Sequence, residues 1–205
     1  MALRIVLCLW ALLALTACAT TAEPKWASDE AVAAARYVGE GPPSITLYTV
    51  INNQSNAGAH TGLLIQADEV ILFDPAGTWH HPRLPERNDV HYGITPKMQA
   101  FYIDYHARET FRVVEQRLEV TPAQAALVAA RAKAYGAVPK AQCANSVSSI
   151  LSGVPGFESI GNTWFPNKLM AAFGALPGVR ERLITDADAD NNHGVLLVQS
   201  SADPV

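Results

Sequence analysis

An apolar pattern that stops and restarts across a three-residue gap constrains this chain more than any other feature. Thr61 to Gln66 and Val70 to Asp74 are apolar runs separated only by Ala67-Asp68-Glu69, a spacing that predicts an antiparallel hairpin with a short turn. Upstream, Ser44-Ile45-Thr46-Leu47-Tyr48-Thr49-Val50-Ile51 alternates and is rich in β-branched and aromatic residues, which reads as a further strand. Helical signals follow. Thr95-Pro96 reads as an N-cap and first helical position, opening a helix through about His106, and Thr121-Pro122 repeats the pair before an alanine-rich helix that Gly136 would end. Phe111 to Val120 reads as a strand between them. Cys143 to Leu151 reads as a helix with Asn145, Ser148 and Ser149 on one side and Val147, Ile150 and Leu151 on the other. Asn167 to Phe173 reads as another helix, and Gly194 to Gln199 as a closing strand after the acidic turn Asp186 to Asp190. Pro75 to Ile94 is rich in Pro, His and Arg without an apolar period and is expected to be a long surface loop, a kind that is usually functional or mobile. With no internal repeat, the whole is an α+β pattern.

The N-terminal segment speaks to location. Met1-Ala2-Leu3-Arg4 precedes an apolar run from Ile5 to Leu15, the charged start and hydrophobic middle of a secretory signal. That run is shorter than the roughly 20 apolar residues a membrane-spanning helix needs. Leu15-Thr16-Ala17-Cys18 then resembles the lipobox of bacterial lipoproteins. The resemblance implies removal of residues 1–17, lipidation of Cys18 and anchoring to a membrane through acyl chains. A plain signal peptide cut near Ala17 or Ala19 is the alternative. Ala19 stands where an inner-membrane retention signal has aspartate, so the inner face of the outer membrane is the expected address in a cell that has one. Residues 18–43 are small, polar and proline-bearing and read as a tether with one helical turn around Ala31 to Tyr37. The domain is expected to occupy residues 44–205. A net charge of -4 without any cluster of lysine and arginine excludes nucleic acid as a partner.

Cysteine usage narrows the chemistry. Cys8 lies in the leader and Cys18 at the lipid site, so Cys143 is the single thiol of the mature domain. In an oxidising compartment cysteines usually pair, and an odd one is either a reactive thiol or a buried apolar side chain. A helix N-terminus would lower its pKa and offer unpaired amides, that of Cys143 included, to a developing oxyanion. Of the six histidines, His60 is the best base, because it opens a strand among small residues and a strand end is a rigid mount. A histidine satisfied by a backbone carbonyl is the alternative. Asp74 returns beside His60 if the hairpin closes, on the same side only if the turn has an odd number of residues; an aspartate capping the turn at Asp74-Pro75 is equally compatible. His80 and His81 lie in the long loop, and His91, His106 and His193 have no carboxylate or cysteine at ligand spacing. A metal site built from His80, His81 and His91 matches no ligand pattern, so neither metal nor cofactor is expected.

The order of these residues resembles a known group. His60 on a strand, a polar residue on the next strand and, much later, a helix opening with Cys143 is similar to the circularly permuted papain-like hydrolases, the NlpC-like group that includes lecithin:retinol acyltransferase relatives. Ordinary papain-like enzymes place the cysteine before the histidine, and the permuted group reverses them. The resemblance covers roughly Ser44 to Leu151, and the loop 75–94 is not part of its pattern. It implies a permuted papain-like fold, a small antiparallel sheet packed against the helix that carries the nucleophile. It also implies roles: Cys143 as nucleophile, His60 as base, Asp74 as the third polar residue and Gln142 as a donor to the oxyanion. The activity implied is a cysteine hydrolase that cleaves an amide bond through an acyl-enzyme, in cell-wall peptides given the envelope location. An acyl-lipid ester or thioester is the alternative substrate, since permuted members also handle acyl chains. A non-catalytic envelope module with a buried Cys143 is the rival of a different class. Trp79, Trp164 and Phe165 are candidates to line a substrate groove.

Overall fold

One short turn sets the register of the central strands. In the computed structural model, which describes residues 22–202, a short helix α1 (Asp29–Ala35) precedes β1 (Ser44–Asn52), β2 (Gly58–Gln66) and β3 (Val70–Phe73), which pair antiparallel in chain order. The Ala67 N–H donates to Glu69 O at 3.0 Å, and Gln66 faces Val70 while Leu63 faces Phe73. The chain then adds β4 (Glu86–Arg87) and β5 (Val90–Tyr92) beyond β3. After α2 (Pro96–His106), β6 (Phe111–Glu119) returns to the other edge of β1. Three helices follow, α3 (Pro122–Tyr135), α4 (Cys143–Ser152) and α5 (Pro166–Gly174), and then β7 (Arg180–Ile184) and α6 (Asn192–Ser201). The result is α+β: an antiparallel seven-stranded sheet in the order β4-β5-β3-β2-β1-β6-β7. The lipobox and Cys18 lie outside the described residues, among which no helix is long and apolar enough to cross a membrane.

Strand alternation sorts the side chains into two cores. Ile45, Leu47, Leu63, Ile65, Ile71 and Phe73 point to one face, where α3, α4 and α5 bury Val128, Val147, Ile150 and Phe173 against them. Tyr48, Val50, Leu64 and Leu72 point to the other, covered by Met98, Tyr102 and Tyr105 of α2 and by Trp79. Each fully buried Leu, Ile or Phe contributes about 1.5–3 kcal/mol. A one-residue slip would exchange the two sets, so the cores hold the register that the turn begins.

The structure departs from these expectations in five places. Pro75 to Ile94 is no surface loop: β4 and β5 lie in it, and Trp79, His81, Val90 and His91 are buried. Its polar groups find partners inside the protein, the Trp79 indole N–H on Gln199 Oε1 at 3.2 Å and the His81 Nε2 on Gln199 O at 3.1 Å. Gly194 to Gln199 is not a strand but the middle of α6, started by Asn191, whose Oδ1 accepts the Gly194 N–H at 3.0 Å. Ser148, expected on the polar side of its helix, is buried and donates to Asn145 O at 3.1 Å. β7 was not anticipated; its Arg180, Glu181, Arg182 and Leu183 are exposed, as suits an edge strand blunted by charge. The segment read as a tether follows the domain surface from Trp26 onward. There the Ala27 N–H donates to Glu86 O at 3.0 Å and the Arg87 guanidinium sits 4.7 Å over the Trp26 ring.

Candidate active site

The odd, three-residue turn settles which way Asp74 points. Continuing the β2–β3 register from Leu63 opposite Phe73 sets Asp74 against Gly62, two residues from His60, and residues two apart share a face. His60 Nε2 and Asp74 Oδ1 are 2.6 Å apart. The carboxylate is wholly buried and the imidazole 16% exposed. The Tyr102 hydroxyl donates to the same Oδ1 at 2.9 Å, while Oδ2 is buried without a hydrogen-bond partner. Two glycines make room. A Cβ on Gly77 would fall on the Asp74 carboxylate, and one on Gly62 would fall on the Tyr102 hydroxyl.

Cys143 and His60 approach from different layers and meet at a gap. α4 packs on the face of Leu63 and Ile65, whereas the His60 ring stacks on His106 of α2, on the opposite face, with centroids 5.5 Å apart and planes 9° off parallel. The sheet is open between them. β3 ends at Phe73, and because Leu63 and Ile65 turn their amides to β3, Thr61 turns its own to the place β3 has vacated. The Cys143 sulfur lies near enough to this place for His60, the Thr61 amide and the Ala144 amide of its own first turn each to favour its ionised form. With Nε2 on Asp74, Nδ1 is the ring atom left for sulfur.

Charge follows from this geometry. Burial alone would lower the His60 pKa, but Asp74, with help from Cys143, outweighs it and raises the group from its ordinary 6.5 to about 10. Burial would raise Asp74; His60 beside it, with His106 and His91 near, holds it well below its ordinary 3.8. Burial also pushes the Cys143 thiol up, and the hydrogen bond from His60 and the two amides bring it below its ordinary 9.0. As first residue of α4, the sulfur further gains from the helix dipole. The arrangement shifts the sulfur toward the thiolate and places a protonated His60 beside the Asp74 carboxylate. Such a sulfur is a nucleophile where a neutral thiol is not.

Residues beyond the predicted ones hold the group in place. Asp89, in a left-handed conformation with φ of 67°, accepts the Asp74 N–H on its main-chain oxygen at 2.8 Å. Its carboxylate accepts the Val138 N–H at 2.7 Å, bracing Asp74 against the segment that leads to Cys143. Two alanines flank the site with positive φ, Ala76 at 56° and Ala141 at 65°, a conformation that costs a non-glycine residue about 1–2 kcal/mol. Gln142 precedes the sulfur and makes no capping bond. A cleft of about 220 Å³ opens at His60, lined also by Gly77, Tyr105, His106, Arg108 and Phe111. His106 and Tyr102 escaped the sequence reading because nothing in local spacing ties the last turn of α2 to β2; their shared i, i+4 face was the one available signal. Of the groove candidates, Trp79 is core, and Trp164 and Phe165 are exposed. His80, His81 and His91 do not converge, His80 bonding Thr78 O, His81 bonding Gln199 O and His91 packing edge-on to Trp79. No protein-family model, curated protein or solved structure matches this chain.

Proposed function

We propose that this protein is a cysteine hydrolase of the permuted papain-like kind, lipid-anchored through Cys18 in the cell envelope, that cleaves an amide bond through an acyl-enzyme. The observation that carries the reading is the position of His60, bonded to Asp74 at 2.6 Å and electrostatically coupled to Cys143, with the three residues on three separate elements. The thiolate attacks the carbonyl carbon, forming a C–S bond while the carbonyl π pair moves to oxygen, near the Cys143 amide and the Gln142 side chain. Collapse expels the amine, which takes the proton from His60. Neutral His60 then draws a proton from water, whose oxygen attacks the thioester and releases the acid and the thiolate. Asp74 stabilises the imidazolium throughout and is not itself protonated. Cell-wall peptides are the amide substrates an envelope location offers.

An acyl-lipid ester or thioester is the second reading. It is favoured by Trp164 and Phe165, exposed apolar surface at the start of α5, whose Pro166 and Asn167 pack on Gly58 two residues before His60. The test is the rate of iodoacetamide alkylation against pH for the native protein and for His60→Ala, followed by release of product from a muropeptide amide and from an acyl thioester. Fast alkylation well below pH 7 that falls at least tenfold in His60→Ala is the expected result. A native rate that rises only near the ordinary thiol value, or one indifferent to the substitution, replaces the enzyme by a non-catalytic envelope module.

A further inference from the structure

The cleft at His60 holds a further donor, His106, that the thiol mechanism does not use. His106 Nδ1 donates to Tyr102 O at 2.8 Å, which fixes its tautomer and leaves Nε2 as a lone pair on the wall of the cleft that His60 also lines. Ligand atoms of His60, Asp74 and His106 all lie within 4.8 Å of one another. Four-coordinate zinc, with bonds of about 2.0–2.2 Å to nitrogen and oxygen, brings neighbouring donors to about 3.3 Å, so side-chain rotations on the order of 1 Å complete the set. Two imidazoles and a carboxylate are donors suited to first-row divalent ions such as zinc.

Two further observations point to a cation. Asp74 Oδ2 is buried with no hydrogen-bond partner, which leaves one oxygen of the carboxylate an unsatisfied acceptor. Tyr102 also orients two of the three ligands at once, its main-chain oxygen holding His106 and its hydroxyl holding Asp74. Metal sites rely on such outer contacts to aim their ligands. We propose that His60, His106 and Asp74 form a binding site for a divalent ion of the zinc class, and that the occupied site is an inhibited state of the Cys143 centre. A metal on His60 replaces the proton that Asp74 and the thiolate share, and the nucleophile loses its acid–base partner. The binding half stands on the geometry alone; the inhibitory half rests on the hydrolase reading.

The test separates the two. Zn2+ is titrated calorimetrically into the native full chain, Cys143→Ala and His106→Ala, each shown to be folded by circular dichroism, and Co2+ is used as a spectroscopic stand-in. One ion per chain is expected in the native protein and in Cys143→Ala, with affinity reduced at least a hundredfold in His106→Ala and no thiolate-to-cobalt charge-transfer band. Zn2+ should slow iodoacetamide alkylation of native Cys143 at least tenfold and leave the rate of His106→Ala unchanged by the ion. Binding that survives His106→Ala, or that is lost in Cys143→Ala, overturns the site. Alkylation indifferent to bound Zn2+, or hydrolysis that requires it, overturns the inhibited state. A Cys143 that is unreactive before any metal is added removes the hydrolase reading while the titration still decides the site.

Discussion

α3 and α4 pack on the same face of the sheet and begin in opposite ways. At α3 the Thr121 hydroxyl accepts the Gln124 N–H at 3.2 Å, and Gln124 Oε1 accepts the Thr121 N–H at 2.9 Å, a capping box that satisfies two donors reciprocally. At α4, Gln142 makes no capping bond, and the Ala144 amide instead acts on the Cys143 sulfur, favouring its ionised form. A cap is worth about 1 kcal/mol. α3 has taken that stabilisation, whereas α4 has left its positive end open to an anion. The α4 end is held instead from outside the helix, through Thr61, His60, Asp74 and the Asp89 brace. Stability is thus local at one helix start and distributed at the other.

The largest effect separates these two kinds of support. Asp74→Ala leaves His60 and the Tyr102 hydroxyl without their acceptor in a buried place, and breaking such a pair costs about 3 kcal/mol or more. Thr121→Ala removes only a cap and is expected to cost about 1 kcal/mol. Urea unfolding at pH 7 measures both, and iodoacetamide reads the site: Asp74→Ala should slow alkylation of Cys143, and Thr121→Ala should not touch it. A smaller loss for Asp74→Ala than for Thr121→Ala would mean that the polar group does not hold α4.

Next in size is a pH dependence confined to the distributed end. His60 is raised from 6.5 to about 10 by folding, so its contribution is fully present below about pH 6.5 and is lost as pH rises from there through 10. Asp74 is depressed below its ordinary 3.8, so its contribution is present above that value and is lost as pH falls beneath it. His106, lowered by burial from 6.5 to about 4, has the sign of a group kept neutral: its contribution is present above 6.5 and is lost as pH falls through 4. With the opposing titration of the thiol removed by Cys143→Ala in both proteins, the stability difference that His60→Gln makes should therefore shrink steadily from pH 6.5 to 10. The difference for Thr121→Ala should stay flat over that range, and parallel curves would place the titration elsewhere.

A smaller change converts one helix start into the other. Gln142→Asp gives α4 the carboxylate cap it lacks, which should stabilise the protein by up to about 1 kcal/mol. The same charge beside the sulfur disfavours the thiolate, so alkylation at pH 6 should fall roughly fivefold, the equivalent of about 1 kcal/mol. Stability and reactivity that rise together would show that the open helix end is not what favours the anion.

How much of this was legible in the sequence follows the same division. Thr121, Thr95 and Gly136 announced their helix ends because capping chemistry is local, and Cys143 announced itself as the one thiol of the domain. His60 and Asp74 were legible as residues of neighbouring strands, whereas their shared face waited on the parity of the turn, which the register of β2 and β3 shows to be odd. Their partners Tyr102, His106 and Asp89 were not, since they reach the site through packing between layers. β7 hid because its Arg-Glu-Arg run is exposed and carries no apolar period, and α6 was mistaken for a strand because Val195 to Val198 is a short apolar run that suits either period. Asn191, its N-cap, was the signal available there. In Pro75 to Ile94, burial of His81 and His91 depends on distant partners such as Gln199, which no local pattern carries.

The smallest expected effect lies at Ala141, where the chain enters α4. Its φ of 65° is one that glycine adopts freely and alanine does not, at a cost of about 1–2 kcal/mol. Ala141→Gly removes that strain but adds conformational entropy to the unfolded chain, worth about 0.5–1 kcal/mol in the opposite direction. The net is a gain of a few tenths of a kcal/mol, seen as a melting temperature raised by about 1–2 °C. If the strain serves to fix the entry angle of α4, the more stable variant should also place its sulfur less well, and alkylation at pH 6 should slow by about twofold while the rate at pH 9 stays the same. At Thr121 stabilising and destabilising changes leave the thiol alone, so a coupling at Ala141 isolates the α4 end as the place where stability is exchanged for reactivity. A lower melting temperature would mean that the left-handed turn is not present in solution, and a higher one with unchanged alkylation would mean that it plays no part in aiming Cys143.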